Sequence, residues 1–168
     1  MNSSQKKYLR LSIVMLTVLF FAVSLPLNGF SYQYIDVETP KGYSLLLMGG
    51  LAFIGGGLFE TLIWTANPIA LIAIICFLKE SSTIIKIHPV LKTVIPKPKL
   101  RSYWLSALAA AIAWSFSLWN EVLAAESGSM GKIVSLGSGY WLWVSSFTIL
   151  AIGIYYFPFK GVVSESIK

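Results

Sequence analysis

Cysteine and histidine are almost absent from this 168-residue chain, which contains only Cys76 and His88. One cysteine excludes an intrachain disulfide framework, and a single pair of these residues cannot form a His/Cys metal cluster. We therefore expect no metal centre and no cofactor. The sequence also lacks Gly-x-Ser-x-Gly, His-Glu-x-x-His and a complete phosphate loop. These absences favour a protein that is not an enzyme.

Charged residues are scarce as well. They make up 12% of the chain, whereas hydrophobic residues make up 56% and the mean hydropathy is +0.73. A soluble domain carries about 25% charged residues. The apolar runs recur along the whole chain and are continuous, which favours helices over the alternating strands of a membrane barrel. The composition predicts an all-α polytopic membrane helical bundle, with residues 1–168 as one integral membrane domain.

The apolar stretches predict four crossings and one shorter piece. We expect the spans at about 11–27, 43–64, 102–125 and 137–157, a half-helix at 68–78, and a basic loop at 79–101. The first span follows a basic N-terminus but has no Ala-x-Ala cleavage site after it, so we interpret it as an uncleaved signal anchor.

The distribution of Lys and Arg predicts the orientation. One side would hold eleven of the thirteen basic residues, and Lys41 and Lys132 would remain on the other. Cytoplasmic segments carry such an excess of positive charge. We therefore expect both termini and the 79–101 loop in the cytoplasm, with this loop touching anionic lipid. The net charge of +6 is explained by topology, so we expect no nucleic-acid partner. The eleven residues are Lys6, Lys7, Arg10, Lys79, Lys86, Lys92, Lys97, Lys99, Arg101, Lys160 and Lys168.

Residues 43–78 are too long for one straight span of about 20 residues. The orientation requires an odd number of crossings here, so we expect one crossing plus a half-helix. Asn67 is a favourable N-cap and Pro68 suits a first helical turn, which places the predicted break at this pair. Two other readings remain open: a Pro-kinked helix that continues, or two full crossings that would put the basic loop outside.

Glu60 is the only charged residue between residues 43 and 78. Ionisable groups at membrane depth are costly and usually functional. We therefore define a candidate ion, proton or helix-break site. In one reading Glu60 ties the helix break together; in another it handles a proton or cation; in a third it works with Glu121 in catalysis. The site comprises Glu60, Trp64, Asn67, Asn120 and Glu121.

Small residues recur on one face of three predicted spans. Gly49 and Gly56 fall within about 40° of Glu60 on a helical wheel, and other small residues repeat at similar spacings. Small side chains let helices approach closely in lipid. The predicted packing positions are Gly49, Gly56, Ala110, Ala113, Gly139, Ser146 and Gly153.

Several short motifs resemble a loose group of small bacterial multi-spanning membrane proteins that carry Trp-x-Ala-Asn-Pro. They are Tyr43-x-Leu-Leu, the glycine-rich run that follows it, Trp64-Thr-Ala-Asn-Pro68 and Gly137-Ser-Gly-Tyr-Trp-Leu-Trp143. The resemblance implies a bacterial cytoplasmic membrane location and no particular activity.

The favoured functional hypothesis is a non-enzymatic assembly, accessory or effector component that acts through helix–helix contacts. Its expected partners are the lipid bilayer and either a second copy or another membrane protein. The alternative is a small transporter or channel subunit that uses Glu60 as a proton or cation site. An intramembrane enzyme ranks third, because the Glu60 and Glu121 carboxylates have no nucleophile or metal beside them.

Overall fold

The computed structural model describes residues 3–80, 100–125 and 128–156. Most of these residues are helical, and short strands join the helices at one end of the molecule. The helices are α1 (Ser3–Ser24), α2 (Gly42–Gly49), α3 (Leu58–Trp64), α4 (Ala66–Glu80), α5 (Leu100–Ser115) and α6 (Ser138–Tyr156); the strands are β1 (Phe30–Gln33), β2 (Val37–Glu38), β3 (Glu121–Leu123) and β4 (Met130–Leu136).

Helix α6 packs antiparallel to both α1 and α5. Its C-terminal half meets the first half of α1, where a Cβ on Gly153 would lie 2.5 Å from Ile13 Cγ2. Its N-terminal half meets the end of α5, where the Tyr140 hydroxyl donates to the Ala113 carbonyl at 3.1 Å. Helix α4 runs parallel to α6 and packs against α5. The two helices α4 and α5 contribute fully buried alanines, which allow their backbones to approach closely.

Among the described residues, three helices are long and apolar enough to cross a membrane: Lys7–Ser24, Leu58–Lys79 and Ser138–Tyr156. In each of the first two, only 28% of the apolar window is buried inside the protein. Helix α5, with 16 described residues, falls short of that length, although it packs beside α4 and α6. The predicted loop at 79–101 lies mostly outside the described residues.

The chain is not all-α, because four strands form an antiparallel sheet in the order β2-β1-β4-β3. The central pair joins distant parts of the sequence, with Phe30 opposite Leu136. Inward-facing Phe30 and Val122 are buried in the same core as the helices. From the sequence these segments are expected to be loops or a helix end, because each strand has only two to seven residues.

The predicted helix at 43–64 is broken near its middle. Helix α2 ends at Gly49, a 3₁₀ turn covers Ala52–Gly55, and α3 begins at Leu58. Gly56 ends that turn with φ +93°, a backbone conformation that glycine adopts readily and other residues rarely do. This region does contain one long and one short helical piece, but the short piece precedes Glu60.

The predicted break at Asn67-Pro68 is wrong. Residues from Leu58 to Glu80 follow one helical course, interrupted only at Thr65, whose backbone stays in the right-handed helical region. Pro68 has no N–H to give to the Trp64 carbonyl four residues earlier, but the Asn67 side chain donates to that carbonyl at 2.9 Å. Because the missing hydrogen bond is replaced locally, the helix continues through Pro68. This agrees with the alternative reading of a Pro-kinked helix that continues.

The predicted helix at 102–125 ends ten residues early. Helix α5 stops at Ser115, a 3₁₀ turn covers Phe116–Leu118, and Trp119 is extended before β3 begins. The hydroxyls of Ser115 and Ser117 each donate to the carbonyl three residues earlier. The turn brings the Phe116 ring to within 5.1 Å of the Phe30 ring, measured between centroids, so the aromatic core ends the helix.

Most of the predicted packing positions are buried in contacts, whereas Gly56 lies in a turn. Ala113, Gly139, Ser146 and Gly153 are buried, and Ala110 is half-buried against the core. Gly139 lies against the carbonyls of the α1–β1 turn. Gly56 differs from the prediction, because nothing lies within 4 Å of the position its Cβ would occupy. Its role is conformational.

Candidate functional site

A partly open cavity of about 140 Å³ lies where the helices meet the sheet. Its walls come from the end of α1, from α2 and α3, from the start of α6, and from β1 and β3. Most of the lining is apolar, and Glu60, Trp64, Asn67, Tyr140 and Trp143 also line it. Three of the five predicted site residues therefore share one cavity.

The Trp64 indole holds α2 against α3. Its Nε1 donates to the Leu46 carbonyl at 2.7 Å, close to the C-terminal end of α2. A Cβ on Gly49 would lie 2.8 Å from Trp64 Cδ1, and one on Gly50 would lie 3.0 Å from Cζ2. Consecutive glycines are thus required for the indole to lie flat against this backbone. Gly49 does serve a packing contact, but the contact is with Trp64.

Asn67 bonds to two different elements through the two ends of its amide. The nitrogen donates to the Trp64 carbonyl on its own helix, and Oδ1 accepts the Trp143 indole N–H of α6 at 2.9 Å. A half-buried amide that both donates and accepts links α4 to α6 and replaces the bond that Pro68 cannot make. The function of Asn67 in the cavity wall is therefore partly structural.

Glu60 ties the helices to the sheet. Its Oε1 accepts the backbone N–H of Leu123 in β3 at 2.7 Å. Leu123 pairs with Met130 on its other side, so β3 is an edge strand, and the carboxylate supplies an acceptor on the open edge. The side chain is half-buried and also lines the cavity. This contact matches the reading in which Glu60 is a structural tie, although it ties a sheet edge, not a helix break.

Asn120 and Glu121 lie apart from this cavity. Both side chains are exposed, and neither contributes to the cavity wall. Asn120 uses its backbone carbonyl to accept the Ile133 N–H at 2.7 Å, and Glu121 lies opposite Lys132 in the strand pair. These residues were placed beside Glu60 on the assumption of a continuous helix to 125. Because that helix ends at Ser115, Glu121 begins β3 and Asn120 lies just before it.

Sequence reasoning missed the aromatic wall of the cavity. Trp143 and Tyr140 stand 6.1 Å apart between ring centroids, and Tyr140 stands 5.6 Å from Phe116. The motif Gly137-Ser-Gly-Tyr-Trp-Leu-Trp143 contains both rings, but the sequence does not show that they face a cavity. Only the packing of α6 turns these two rings inward.

One tyrosine on the sheet has a shifted titration. Burial, reinforced by a hydrogen bond to the Glu38 carboxylate at 2.6 Å and by its negative charge, raises the pKa of Tyr32 to about 12. A phenol that donates to a carboxylate holds its proton more tightly. The Tyr32–Glu38 bond therefore supports the β1–β2 pair through all moderate pH values.

The cavity is suited to binding a ligand through apolar contacts, and the Glu60 carboxylate is its acidic group. Within residues 3–80, 100–125 and 128–156, no group of three or more His, Cys, Asp or Glu side chains is placed to hold a metal ion. Comparisons of the chain with protein-family models, curated proteins and solved structures found no match.

Proposed function

We propose that this chain is an integral protein of the bacterial cytoplasmic membrane, and that it acts without catalysis as an assembly, accessory or effector component. The observation that carries the membrane placement is the exposure of apolar side chains along every long helix. Met15, Leu19, Leu71 and Ile152 are each about half exposed or more. Exposed apolar belts of this length are stable against lipid and unfavourable against water.

Charge supports an orientation for this proposal. The end of the molecule opposite the sheet carries Lys7, Arg10, Lys79 and Arg101. The sheet end carries four described acids and two lysines: Asp36, Glu38, Glu60, Glu121, Lys41 and Lys132. By the positive-inside rule, the basic end with both termini would be cytoplasmic and the sheet would face away from the cytoplasm.

Cysteine labelling tests this orientation. In a Cys76→Ala background, Ile35→Cys reports the sheet end and Tyr8→Cys reports the opposite end; these side chains are 81% and 69% exposed. A membrane-impermeant maleimide added to spheroplasts should label Ile35→Cys at once and Tyr8→Cys only after the membrane is opened. Labelling of Tyr8→Cys alone in intact spheroplasts would reverse the orientation, and labelling of both would contradict the membrane placement.

The non-catalytic role is supported by how Glu60 is used. Its carboxylate accepts a backbone N–H, a task that glutamine performs equally well. Glu60→Gln should therefore preserve folding and assembly. Assembly through helix contacts should instead respond to bulk on an exposed helix face, such as the α5 stripe of Trp104, Leu108 and Ala111.

Energy transfer between labelled copies in liposomes tests assembly with a second copy. Ala111→Trp should abolish transfer, and Ile72→Trp, on the exposed side of α4, is the matched control. Loss of transfer in both variants, or in neither, would count against the α5 stripe as the contact. Loss of cellular function in Glu60→Gln with transfer intact would refute the assembly proposal.

A transporter or channel subunit is the second candidate, because Glu60 and Asn67 line the same partly open cavity. A carboxylate beside an amide in a membrane protein is typical of proton and cation sites. Reconstituted protein should then show proton or cation flux that Glu60→Gln removes and Glu121→Gln does not. Liposomes without Glu60-dependent flux between about pH 5 and pH 8 would exclude this role.

A further inference from the structure

We propose that the cavity between the helices and the sheet is a binding site for a small alkylammonium compound, with its alkyl chain against the aromatic wall and its ammonium group at Glu60. The proposal goes beyond the assembly role and requires no particular membrane orientation. The observation behind it is the juxtaposition of an apolar cavity, a set of donors already in use and one carboxylate.

The size and walls of the cavity define the apolar part of the ligand. Its volume is about 140 Å³. An apolar protein cavity of roughly 150 Å³ binds a molecule the size of benzene. Ile63, Phe116 and Val122 form buried parts of the wall. A chain of about six carbon atoms therefore matches the space.

The indole and hydroxyl donors of the wall are committed to the protein. The Trp64 indole donates to the Leu46 carbonyl, and the Trp143 indole donates to Asn67. The Tyr140 and Ser24 hydroxyls donate to backbone carbonyls at 3.1 and 2.6 Å. A ligand that needs donors, such as a carboxylic acid or a phosphate, would find these groups occupied.

Acceptor capacity remains at Glu60. A carboxylate has two oxygens and about four lone-pair directions. Among the described residues, the donor that Glu60 receives is the Leu123 N–H, on Oε1. A ligand ammonium at the second oxygen would form a charge-assisted hydrogen bond without displacing the bond that holds β3. The polarity of the site thus selects a cation.

Exposed apolar side chains border the cavity on the side of α2 and α3. Helices α2 and α3 border it, and next to the lining residues they expose Leu47, Met48, Phe59 and Leu62 by more than half. An amphiphile can approach along this surface with its chain already out of water. An apolar surface next to a cavity that contains a carboxylate suits a cationic amphiphile.

Calorimetric titration of the full-length protein in a non-ionic detergent tests the proposal. The probes are n-hexylammonium, n-hexanol and n-hexanoate, which share a chain and differ in the head group. We expect hexylammonium to bind most tightly and hexanoate most weakly. Glu60→Gln should lower hexylammonium affinity about tenfold or more and leave hexanol unchanged, since a charge-assisted hydrogen bond is lost.

Two further variants keep the test decisive. Glu121→Gln removes an exposed carboxylate from β3, the strand that Glu60 contacts, and Glu121 does not line the cavity. This variant should bind each probe with unchanged affinity. Leu46→Trp fills the cavity and should abolish binding of all three probes; circular dichroism establishes that each variant is folded. Equal binding of hexanoate and hexylammonium, or equal losses in Glu60→Gln and Glu121→Gln, would overturn the proposal. Because binding is measured in detergent, a reversed orientation or absent assembly would not affect the outcome.

Discussion

Replacing Asn67 by alanine removes two hydrogen bonds at once. The Trp64 carbonyl loses its donor, which Pro68 cannot replace, and the Trp143 indole N–H loses its acceptor. We therefore expect Asn67→Ala to destabilise the protein far more than Asn120→Ala, which changes an exposed side chain. The first change breaks the link between α4 and α6, whereas the second leaves every helix contact in place.

The magnitude follows from the number and surroundings of these bonds. A typical intramolecular hydrogen bond contributes about 1 kcal/mol net, and leaving a buried partner unpaired costs about 1–3 kcal/mol. Side-chain hydrogen bonds between membrane helices average about 0.6 kcal/mol. Two half-buried bonds therefore predict a loss of about 1–3 kcal/mol. Pro68→Ala supplies a backbone N–H for the Trp64 carbonyl, so Asn67→Ala should cost about 1 kcal/mol less in that background.

Unfolding by increasing SDS fraction in mixed micelles, followed by far-ultraviolet circular dichroism, measures all four members of this cycle. A positive coupling between Asn67 and Pro68 is the expected result. If Asn67→Ala costs the same with proline or alanine at 68, the side-chain amide does not replace the missing backbone bond. If Asn67→Ala costs no more than Asn120→Ala, the link between α4 and α6 is also refuted.

Three further sets of substitutions test other parts of the structure. Gly56→Ala and Gly56→Leu should each lower the free energy of unfolding by about 1–2 kcal/mol in the same titration, because φ is +93° and no neighbour is near. A much larger loss for leucine would show that Gly56 is needed for packing and not for its backbone conformation. Gly153→Ala should lower the free energy of unfolding by about 1–3 kcal/mol through its contact with Ile13, and Ile13→Ala should relieve part of that loss. If the effects of the two substitutions are independent, Gly153 does not contact Ile13. The contribution of Tyr32 to stability should be complete below about pH 10 and lost as pH rises through about 12, because folding raises the pKa of Tyr32. Tyrosinate absorbance follows the titration. An alkaline unfolding transition that is unchanged in Tyr32→Phe would contradict the assignment.

The helical content and the position of α6 were predictable from local sequence. Continuous runs without charge gave α6 within one residue at each end, since a helix needs no distant partner for its backbone hydrogen bonds. The grouping of Glu60, Trp64 and Asn67 was also predictable, because spacings of three and four residues place side chains on one helical face. Their shared cavity agrees with that spacing.

The sheet and the rest of the site were not predictable in this way. Strand β1 pairs with β4 across about one hundred residues, and strands this short carry no clear periodic signal. Asn120 and Glu121 were assigned to a helix because nothing in the sequence between Ser115 and Ala125 is a strong helix breaker. The ring of Phe116 packs against Phe30 and Tyr140, and these contacts favour the turn that ends α5.

The sequence by itself determined that the chain forms apolar helices and that most of its basic residues flank the apolar runs, because composition and local spacing act without tertiary contacts. The tertiary structure decided what Asn67, Pro68 and Glu60 do. A proline inside a helix removes one backbone hydrogen bond, and here the neighbouring Asn67 side chain supplies a donor in its place. Glu60 meets the Leu123 N–H because the fold brings β3 across the end of α3, sixty-three residues along the chain.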